Sequence, residues 1–394
     1  MTWFGWLRAR PRTLASAGVL VVGAVALTTM AFAYQGKPTT QVELNDGGVW
    51  VTKQSTLMVG HLNHESQVID GGLSAASARY DVLQAGSTVV LHDESASTAA
   101  VIDPAAVKVT TAAKLPAGTD VELGGKAVAV LDGRGDLWVV PASGLGGFRT
   151  STVKPVAKLG RGAAVAVGRD GVVHAVSPSR SQLITIPTDA QGDPGDVGTQ
   201  GLDGLTASAK VSITAVGGTG VVLDSTHSRI LGSGLDTAID DGAQAVLQQP
   251  SDQADAVLVE TPTALERVPL GGGAPTRTTG GGDGIPAAPV YVQGCAYAVW
   301  SGSLRFVRDC PGTKDDVSRI VPGADPSAQL QFRVNRDVVV LNDIVGGASW
   351  LAADSMKKID NWADLTPPPS QTEKVETKPD AIWAQQATLD RKSV

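Results

Sequence analysis

One theme recurs eight times along the chain, and it limits the fold more than any other feature does. Each copy is a short apolar run, a turn of Gly, Asp, Asn or Ser, and then an alternating strand. The copies begin at Gly47, Ser87, Gly135, Gly171, Gly220, Ala256, Ala296 and Val338, at intervals of 36 to 49 residues. A four-stranded propeller blade uses about 40 to 50 residues, whereas a parallel β-helix repeats at a much shorter period and a sandwich does not require eight like units. Long amphipathic helical stretches are absent, and the strands are short, β-branched and bounded by turn residues. The 46 glycines fit a chain that spends several residues per unit on tight turns. The sequence therefore predicts an all-β protein, a β-propeller of seven or eight blades over residues 41–365. "VELNDGGVWV" from Val42 and "VVLNDIVGGASWL" from Val339 are expected to share one composite closing blade, which would turn eight hairpins into seven blades.

The same pattern explains two local features. Arg134-Gly135-Asp136 could be an adhesion tripeptide, but "LNDGGVWV" at Leu44 and "VGRDGVVHAV" at Val167 set the same residue types before the same apolar strand. The segment reads as a hairpin turn. Cys295 and Cys310 flank "AYAVWSGSLRFVRD", two strands around Gly302-Ser303, a pair suited to a two-residue type II′ turn. Folding there sets the two cysteines opposite each other, and an even count in an oxidising compartment predicts a disulfide.

The ends differ in composition from the repeats. Residues 13–34 carry no charge, and 22 residues at ~1.5 Å rise reach ~33 Å, enough to cross a hydrocarbon core of ~30 Å. Arg8, Arg10 and Arg12 precede this run with no acidic residue among them, which by the positive-inside rule puts residues 1–12 in the cytoplasm. Residues 13–34 read as a transmembrane signal anchor and 35–40 as a short linker, with the bulk of the chain outside the cell. The competing reading is a cleaved signal peptide, with Ala31-Phe32-Ala33 as its cleavage site, although the apolar run exceeds the ~7 to 15 residues of a typical signal core. With those three arginines set aside, the net charge falls from -7 to -10, and an acidic exterior argues against nucleic acid as a partner. After Asp364 the chain turns to "LTPPPSQTEKVETKPD", so residues 366–394 read as a Pro-rich linker and disordered tail.

No catalytic signature stands out. There is no G-x-S-x-G elbow, H-E-x-x-H, P-loop or strand-to-helix G-x-G-x-x-G, and no catalytic residue, metal site or cofactor is assigned. The five histidines are His61, His64, His92, His174 and His227, none at metal-binding spacing; His174 alternates within a strand and could face a ring axis. Asp189, Asp193 and Asp196 fall in one loop but lack the ordered spacing and closing Glu of a calcium loop.

The Trp- and Arg-containing N-terminus, the single span, "DGGVWVT", the blade-like repeats, the "GCAYAVW…RDC" hairpin and the "PPP…WAQQ" tail together resemble the N-terminal region of actinobacterial cell-envelope proteins that carry fibronectin type III or Ig-like repeats. The resemblance implies an anchored, non-catalytic extracellular protein, although no such repeat is visible in these residues. "GGVWVT" and "GDLWVV" are also similar to the blade motif of virginiamycin B lyase-like propellers, which open a lactone with a histidine and a magnesium ion. Two readings follow: a membrane-anchored binding or scaffolding platform with an envelope protein or polysaccharide partner, or an extracytoplasmic lyase or hydrolase with its site in the central channel. A polar funnel with clustered His, Asp or Glu would favour the enzyme, and a channel lined by Val, Ala and Ser would count against it. The anchor reading predicts that mass spectrometry of the mature protein finds residues 1–33 retained. A mature chain beginning at Tyr34 would replace the anchor with a cleaved leader.

Overall fold

In each repeat one strand is apolar along its whole length rather than on alternate positions, as expected of a strand covered on both faces. Thr88–Asp93, Ala127–Leu131, Ala256–Glu260 and Val338–Asp343 are of this kind, and nearly every residue in them is buried. The covering comes from radial packing of sheet on sheet. The computed structural model of the protein describes residues 47–279 and 284–365, which form eight antiparallel sheets, the blades of an eight-bladed propeller. Seven of them contain four strands in simple meander order, one of these with a short fifth strand, and blade 1 shows three described strands.

The blades occupy residues 49–74, 80–114, 120–158, 164–201, 211–238, 246–279, 290–320 and 330–359. The first strands of blades 2 to 8 pack toward a common axis. Val49–Lys53 opens the described part of blade 1 but has the character of a second strand, being buried over its first four residues and followed by a turn that ends in left-handed Leu57. Ser97, Ser181, Ser228 and Leu304 take the same left-handed conformation at the same place in blades 2, 4, 5 and 7. Aspartate at the end of the second strand organises several of these turns. The Asp93, Asp132 and Asp224 carboxylates each accept a backbone N–H two or three residues further on, at 2.8 to 2.9 Å.

Three expectations need correction. The first is the composite blade: Val338–Asp343 belongs to its own four-stranded sheet and Val49–Lys53 to a neighbouring one, so eight hairpins make eight blades, not seven. The second is the repeat frame at Gly135, which starts on the third strand of its blade while the other seven copies start on or just before a second strand. The true counterpart is Ala127–Leu131, and the uneven intervals around Gly135 arise from that slip. The third is the cysteine hairpin. Its register is as read, with Ala296 opposite Asp309 and Trp300 opposite Arg305, but its loop has four residues, Ser301 to Leu304, not two. A four-residue loop inverts the alternation of wide and narrow pairs, so Cys295 and Cys310 fall at a narrow one. Their Cα atoms are 4.2 Å apart and the disulfide is formed.

Arg134-Gly135-Asp136 is a packed turn. The Asp132 carboxylate receives the Arg134 and Asp136 N–H groups at 2.9 and 3.0 Å, and Arg134 Nε lies 3.2 Å from Asp132 Oδ2. Gly135 has φ +86°, and a Cβ there would stand 2.1 Å from the Gly160 carbonyl oxygen. Only glycine fits. The loop containing Asp189, Asp193 and Asp196 is likewise held by its own backbone, since Asp189 Oδ1 accepts from Gln191 and Asp193 N–H. No group of three or more His, Cys, Asp or Glu among the described residues is placed to hold a metal ion.

The segments read as cytoplasmic flank, transmembrane anchor and linker (1–12, 13–34, 35–40, with Arg8, Arg10 and Arg12), residues 41–46 and the tail 366–394 lie outside the described residues. Among the described residues no helix is long and apolar enough to cross a membrane.

Blades 8 and 1 meet at the seam that closes the ring. The fully buried Asn342 side chain accepts the Thr52 N–H at 2.9 Å and donates to the Thr52 carbonyl at 3.2 Å, so one amide reads both backbone groups of a residue in the next blade. Asn361 does the same to Ile69 at the outer side, at 2.9 and 3.0 Å. Between them Val49, Val51 and Leu62 pack on Val340, Leu351 and Trp362. A Cβ on Gly60 would come within 2.8 Å of the Trp362 ring, which explains glycine in an otherwise bulky strand. Asn342→Ala leaves a buried N–H and a buried carbonyl unpaired, each costing about 1 to 3 kcal/mol. Denaturant titration is expected to show a loss of about 2 to 4 kcal/mol, against less than about 0.5 kcal/mol for an exposed substitution such as Asp203→Asn.

Candidate functional site

The first strands of the blades set what reaches the axis. In Tyr80–Ala85, Tyr80 and Val82 are buried in the blade seam while Asp81 and Leu83 turn to the channel. In Asp120–Gly124 the same alternation buries Val121 and points Glu122 inward. Every blade contributes to a central cavity of about 310 Å³. The lining is divided. Asp81, Gln84, Glu122, Gln331 and Arg333 form a polar arc on blades 2, 3 and 8, while the side of blades 4 to 7 is mostly apolar, with Ala166, Ile213, Pro250 and Ala288, and is interrupted by the amides Gln248 and Gln249 of blade 6.

Arg333 is the most constrained of the polar group. It is 7% exposed, its Nη2 lies 2.5 Å from Asp81 Oδ1, and its Nη1 donates to the Val82 carbonyl at 3.2 Å. These contacts tie blade 8 to blade 2 across the channel wall. Its Nε has no partner. Burying a guanidinium is costly unless each donor is satisfied, so this N–H, enclosed within the wall, is a cost that the Asp81 and Val82 contacts offset.

The two ends of the channel differ. First strands run from one face to the other, and the turns into the second strands lie on the far face. There Arg169, from such a turn in blade 4, spans the axis: it donates to the Pro250 carbonyl at 3.3 Å, to Asp252 at 3.1 Å and to the Arg336 carbonyl of blade 8 at 3.2 Å. At the near face the channel continues into a cleft of about 350 Å³ between blades 2 and 3, which shares Asp81, Leu83 and Glu122 and adds Arg79, His92, Glu94 and Asp120.

This mouth is unfavourable for negative charge. Burial, with Asp120 and Asp81 adding to it, pushes the Glu122 carboxyl up to about 8. Burial also raises Asp120, opposed by His92. His92 itself is lowered by burial, so it is neutral at pH 7 despite Glu94 and Asp120 nearby. Among the described residues the Glu122 carboxyl has no hydrogen-bond donor, which leaves nothing to offset its desolvation.

The histidines do not converge. His61 is 2.7 Å from Asp70, His64 is 3.3 Å from Asp354, and His227 is 2.7 Å from Asp224. His174, which the sequence could turn to the axis, sits on a second strand and is 1% exposed, packed where a Cβ on Gly220 would be 3.0 Å from its Nδ1. Only His92 reaches the channel mouth. The residues that line the polar arc were missed in the sequence because they lie on the strand before each apolar run. Their signal is the alternation in "DVELGG" and "LQFRVNR", where polar side chains occupy every second position, and the Asp81 and Gln84 of "YDVLQAG".

No family model matches the chain, and no curated protein matches it. Solved structures do. Dihydro-heme d1 dehydrogenase NirN superposes with a TM-score of 0.57 at 12% identity, covering 83% of this chain and 74% of that one. BamB from Moraxella catarrhalis gives 0.50 at 12%, covering 78% and 93%. Virginiamycin B lyase from Staphylococcus aureus gives 0.44 at 12%, covering 66% and 90%. At such identities the likeness is one of fold, and the chemistry has to be argued from the residues.

Glu122 makes a signed prediction. A carboxyl whose value rises from 4.5 to about 8 on folding holds a proton in the native state that the unfolded chain has lost, so its burial is tolerated at acid pH and stability falls as pH rises through that window. Glu122→Gln removes the slope. Between about pH 5 and pH 9 the wild type is expected to lose roughly 2 to 4 kcal/mol relative to Glu122→Gln in parallel denaturant titrations. Parallel curves would show that Glu122 ionises without penalty.

Proposed function

We propose that the protein is a membrane-anchored extracytoplasmic β-propeller that works as a non-catalytic binding or scaffolding platform in the bacterial cell envelope, with the open mouth of its channel as the recognition face. The fold supports this, since loops and first-strand ends from eight blades converge on a rigid support. The carrying observation is the Arg333–Asp81 pair, which holds blade 8 against blade 2 and fixes a polar wall on the central cavity. A rigid, pre-arranged polar wall recognises a ligand at little ordering cost. An envelope protein or polysaccharide is the partner class, in line with the acidic exterior and the sequence pattern at the N-terminus.

The second reading, a lyase or hydrolase acting in the channel, draws on the same mouth. A carboxyl that stays protonated to about pH 8 in the same cleft as a histidine whose value burial lowers is compatible with general acid–base chemistry. Against it, the other four histidines lie away from the axis and the side of blades 4 to 7 offers no further reacting group.

Affinity purification of the full-length chain from detergent-solubilised envelopes separates the two. The platform reading expects a reproducible protein or polysaccharide partner that Arg333→Met or Asp120→Asn releases. Absence of any partner, together with turnover of a lactone or glycoside abolished by Glu122→Gln, would establish the enzyme instead.

A further inference from the structure

Three loops tipped with arginine meet on the near face of blades 3 and 4. In each the arginine stands between small residues: Gly133-Arg134-Gly135, Gly160-Arg161-Gly162 and Ser179-Arg180-Ser181. The first and third are turns from a second to a third strand, and the middle loop leads from blade 3 into the first strand of blade 4. Close contacts set them in a row. A Cβ on Gly135 would stand 2.1 Å from the Gly160 carbonyl oxygen, and one on Gly160 would stand 2.7 Å from Ser179 Oγ, which donates to the Leu159 carbonyl at 3.1 Å. Gly135, Gly160 and Gly162 all have positive φ, so the loops turn tightly enough for the three tips to share one stretch of rim. Lys158, opposite Asp136 in the blade 3 ladder, adds a fourth cation.

This stretch runs against the charge of the whole chain, which is net -7. Arg134 is anchored by Asp132 at 3.2 Å while 73% of its side chain stays exposed, and Lys158 lies 3.9 Å from Asp136. Arg161 and Arg180 are exposed and form no ion pair or side-chain hydrogen bond with the described protein. Four cations therefore stand against two carboxylates, one of which, Asp132, is buried. The second-to-third-strand turns of the other six blades carry no Arg or Lys, so the positive rim belongs to blades 3 and 4 alone. Exposed Asp203, next to the Leu202 N–H that donates to the Ser181 carbonyl, bounds it on the blade 4 side. Beneath the Arg161 side chain, the Arg161 and Gly162 N–H groups donate to no backbone carbonyl among the described residues.

From this row of loops we infer that the rim binds an acidic polysaccharide with carboxylates spaced along its chain, of the uronic-acid class. The inference rests on the platform reading and specifies the chemistry of its partner. A guanidinium offers two parallel N–H groups to a carboxylate, and three of them in a row fit anions carried on a chain better than a single small anion. Ser179 Oγ and the loop N–H groups are at hand for sugar hydroxyls. A densely charged nucleic acid would run off the patch onto an acidic surface. A membrane-docking surface sets large apolar side chains beside its cations, and none of the exposed ones, Val68, Val153, Val197, Ile285 and Ile320, lies on these loops.

The test is fluorescence anisotropy of a labelled hyaluronan oligosaccharide, which carries a carboxylate on every second sugar, titrated with the full-length protein. An uncharged chitooligosaccharide, a single-stranded DNA and phosphatidylglycerol vesicles are the comparators. The proposal expects hyaluronan to bind, the binding to fade with added salt, and the double variant Arg161→Gln/Arg180→Gln to weaken it roughly tenfold or more. Arg319→Gln, the same loss of charge on the outer strand of blade 7, leaves it unchanged. Neither arginine of the double variant supports the fold, so its denaturation midpoint stays that of the wild type. Equal binding of the chitooligosaccharide, undiminished binding in the double variant, or tighter binding of the DNA or the vesicles overturns the proposal. If hyaluronan fails while the envelope purification still yields a partner that Arg333→Met releases, the platform reading stands and only the rim assignment falls; if both fail, so does the platform.

Discussion

A propeller has no stable part smaller than its ring. Each blade is a twisted sheet whose two faces are both apolar, and each face is covered only by the next blade, so the structure depends on the first and last sheets meeting. In this chain the meeting is made by blade 8 against blade 1, and its centre is one amide. Asn342 pairs with the Thr52 backbone from inside a seam where water does not reach, doing for two sheets what a ladder of hydrogen bonds does within one. The surrounding aliphatic contacts supply area, but area is not directional. The amide fixes which register the two blades adopt, and Asn361 repeats the device at the rim.

Closing the ring is also what makes the channel chemical. Asp81 and Arg333 are separated by 252 residues of chain and meet only because blades 8, 1 and 2 are consecutive around the axis. The pair is costly to bury, and its guanidinium stays in place because a carboxylate and a carbonyl are held at hydrogen-bond distance before any ligand arrives. Glu122 shows the opposite balance: it is half-buried at the channel wall, repelled by two neighbouring aspartates and given no donor. A position like this survives in a fold as a functional feature more readily than as a structural one, because a Gln of the same shape would be less expensive there.

How far the sequence speaks depends on which strand is asked. Second strands bury nearly every side chain, so they appear as apolar runs that end in Asp or lead into Gly-containing turns, and these runs make the repeat visible and the all-β propeller foreseeable. The cysteine register was legible for the same reason, since Tyr297, Val299 and Trp300 leave one way to pair with Phe306 and Val307. The loop length was not, because a left-handed Leu304 is outside ordinary turn preferences and is imposed by the same turn that repeats at Leu57, Ser97 and Ser228. First strands are half lined by channel and half by core, and their alternation is too short to register beside the apolar runs. That is why Asp81, Glu122 and Arg333 stayed hidden while Arg134-Gly135-Asp136 and the histidines drew notice.

The closing seam and the polar arc are one piece of architecture. Gln84, which lines the channel, accepts the Trp50 N–H at 3.0 Å and donates to the Gly48 carbonyl at 3.0 Å, and Asn335 of blade 8 donates to the same carbonyl at 2.8 Å. The start of the described part of blade 1 is thus held between side chains of blades 2 and 8, the two blades that the Arg333–Asp81 pair also joins. The opposite side of the channel is tied to blade 8 as well, since Gln249 of blade 6 donates to the Phe332 carbonyl at 2.8 Å and Arg169 of blade 4 to the Arg336 carbonyl at 3.2 Å. The closing seam and the channel wall therefore stand together, because the side chains that hold the Gly48 carbonyl belong to the same two blades that Arg333 and Asp81 join.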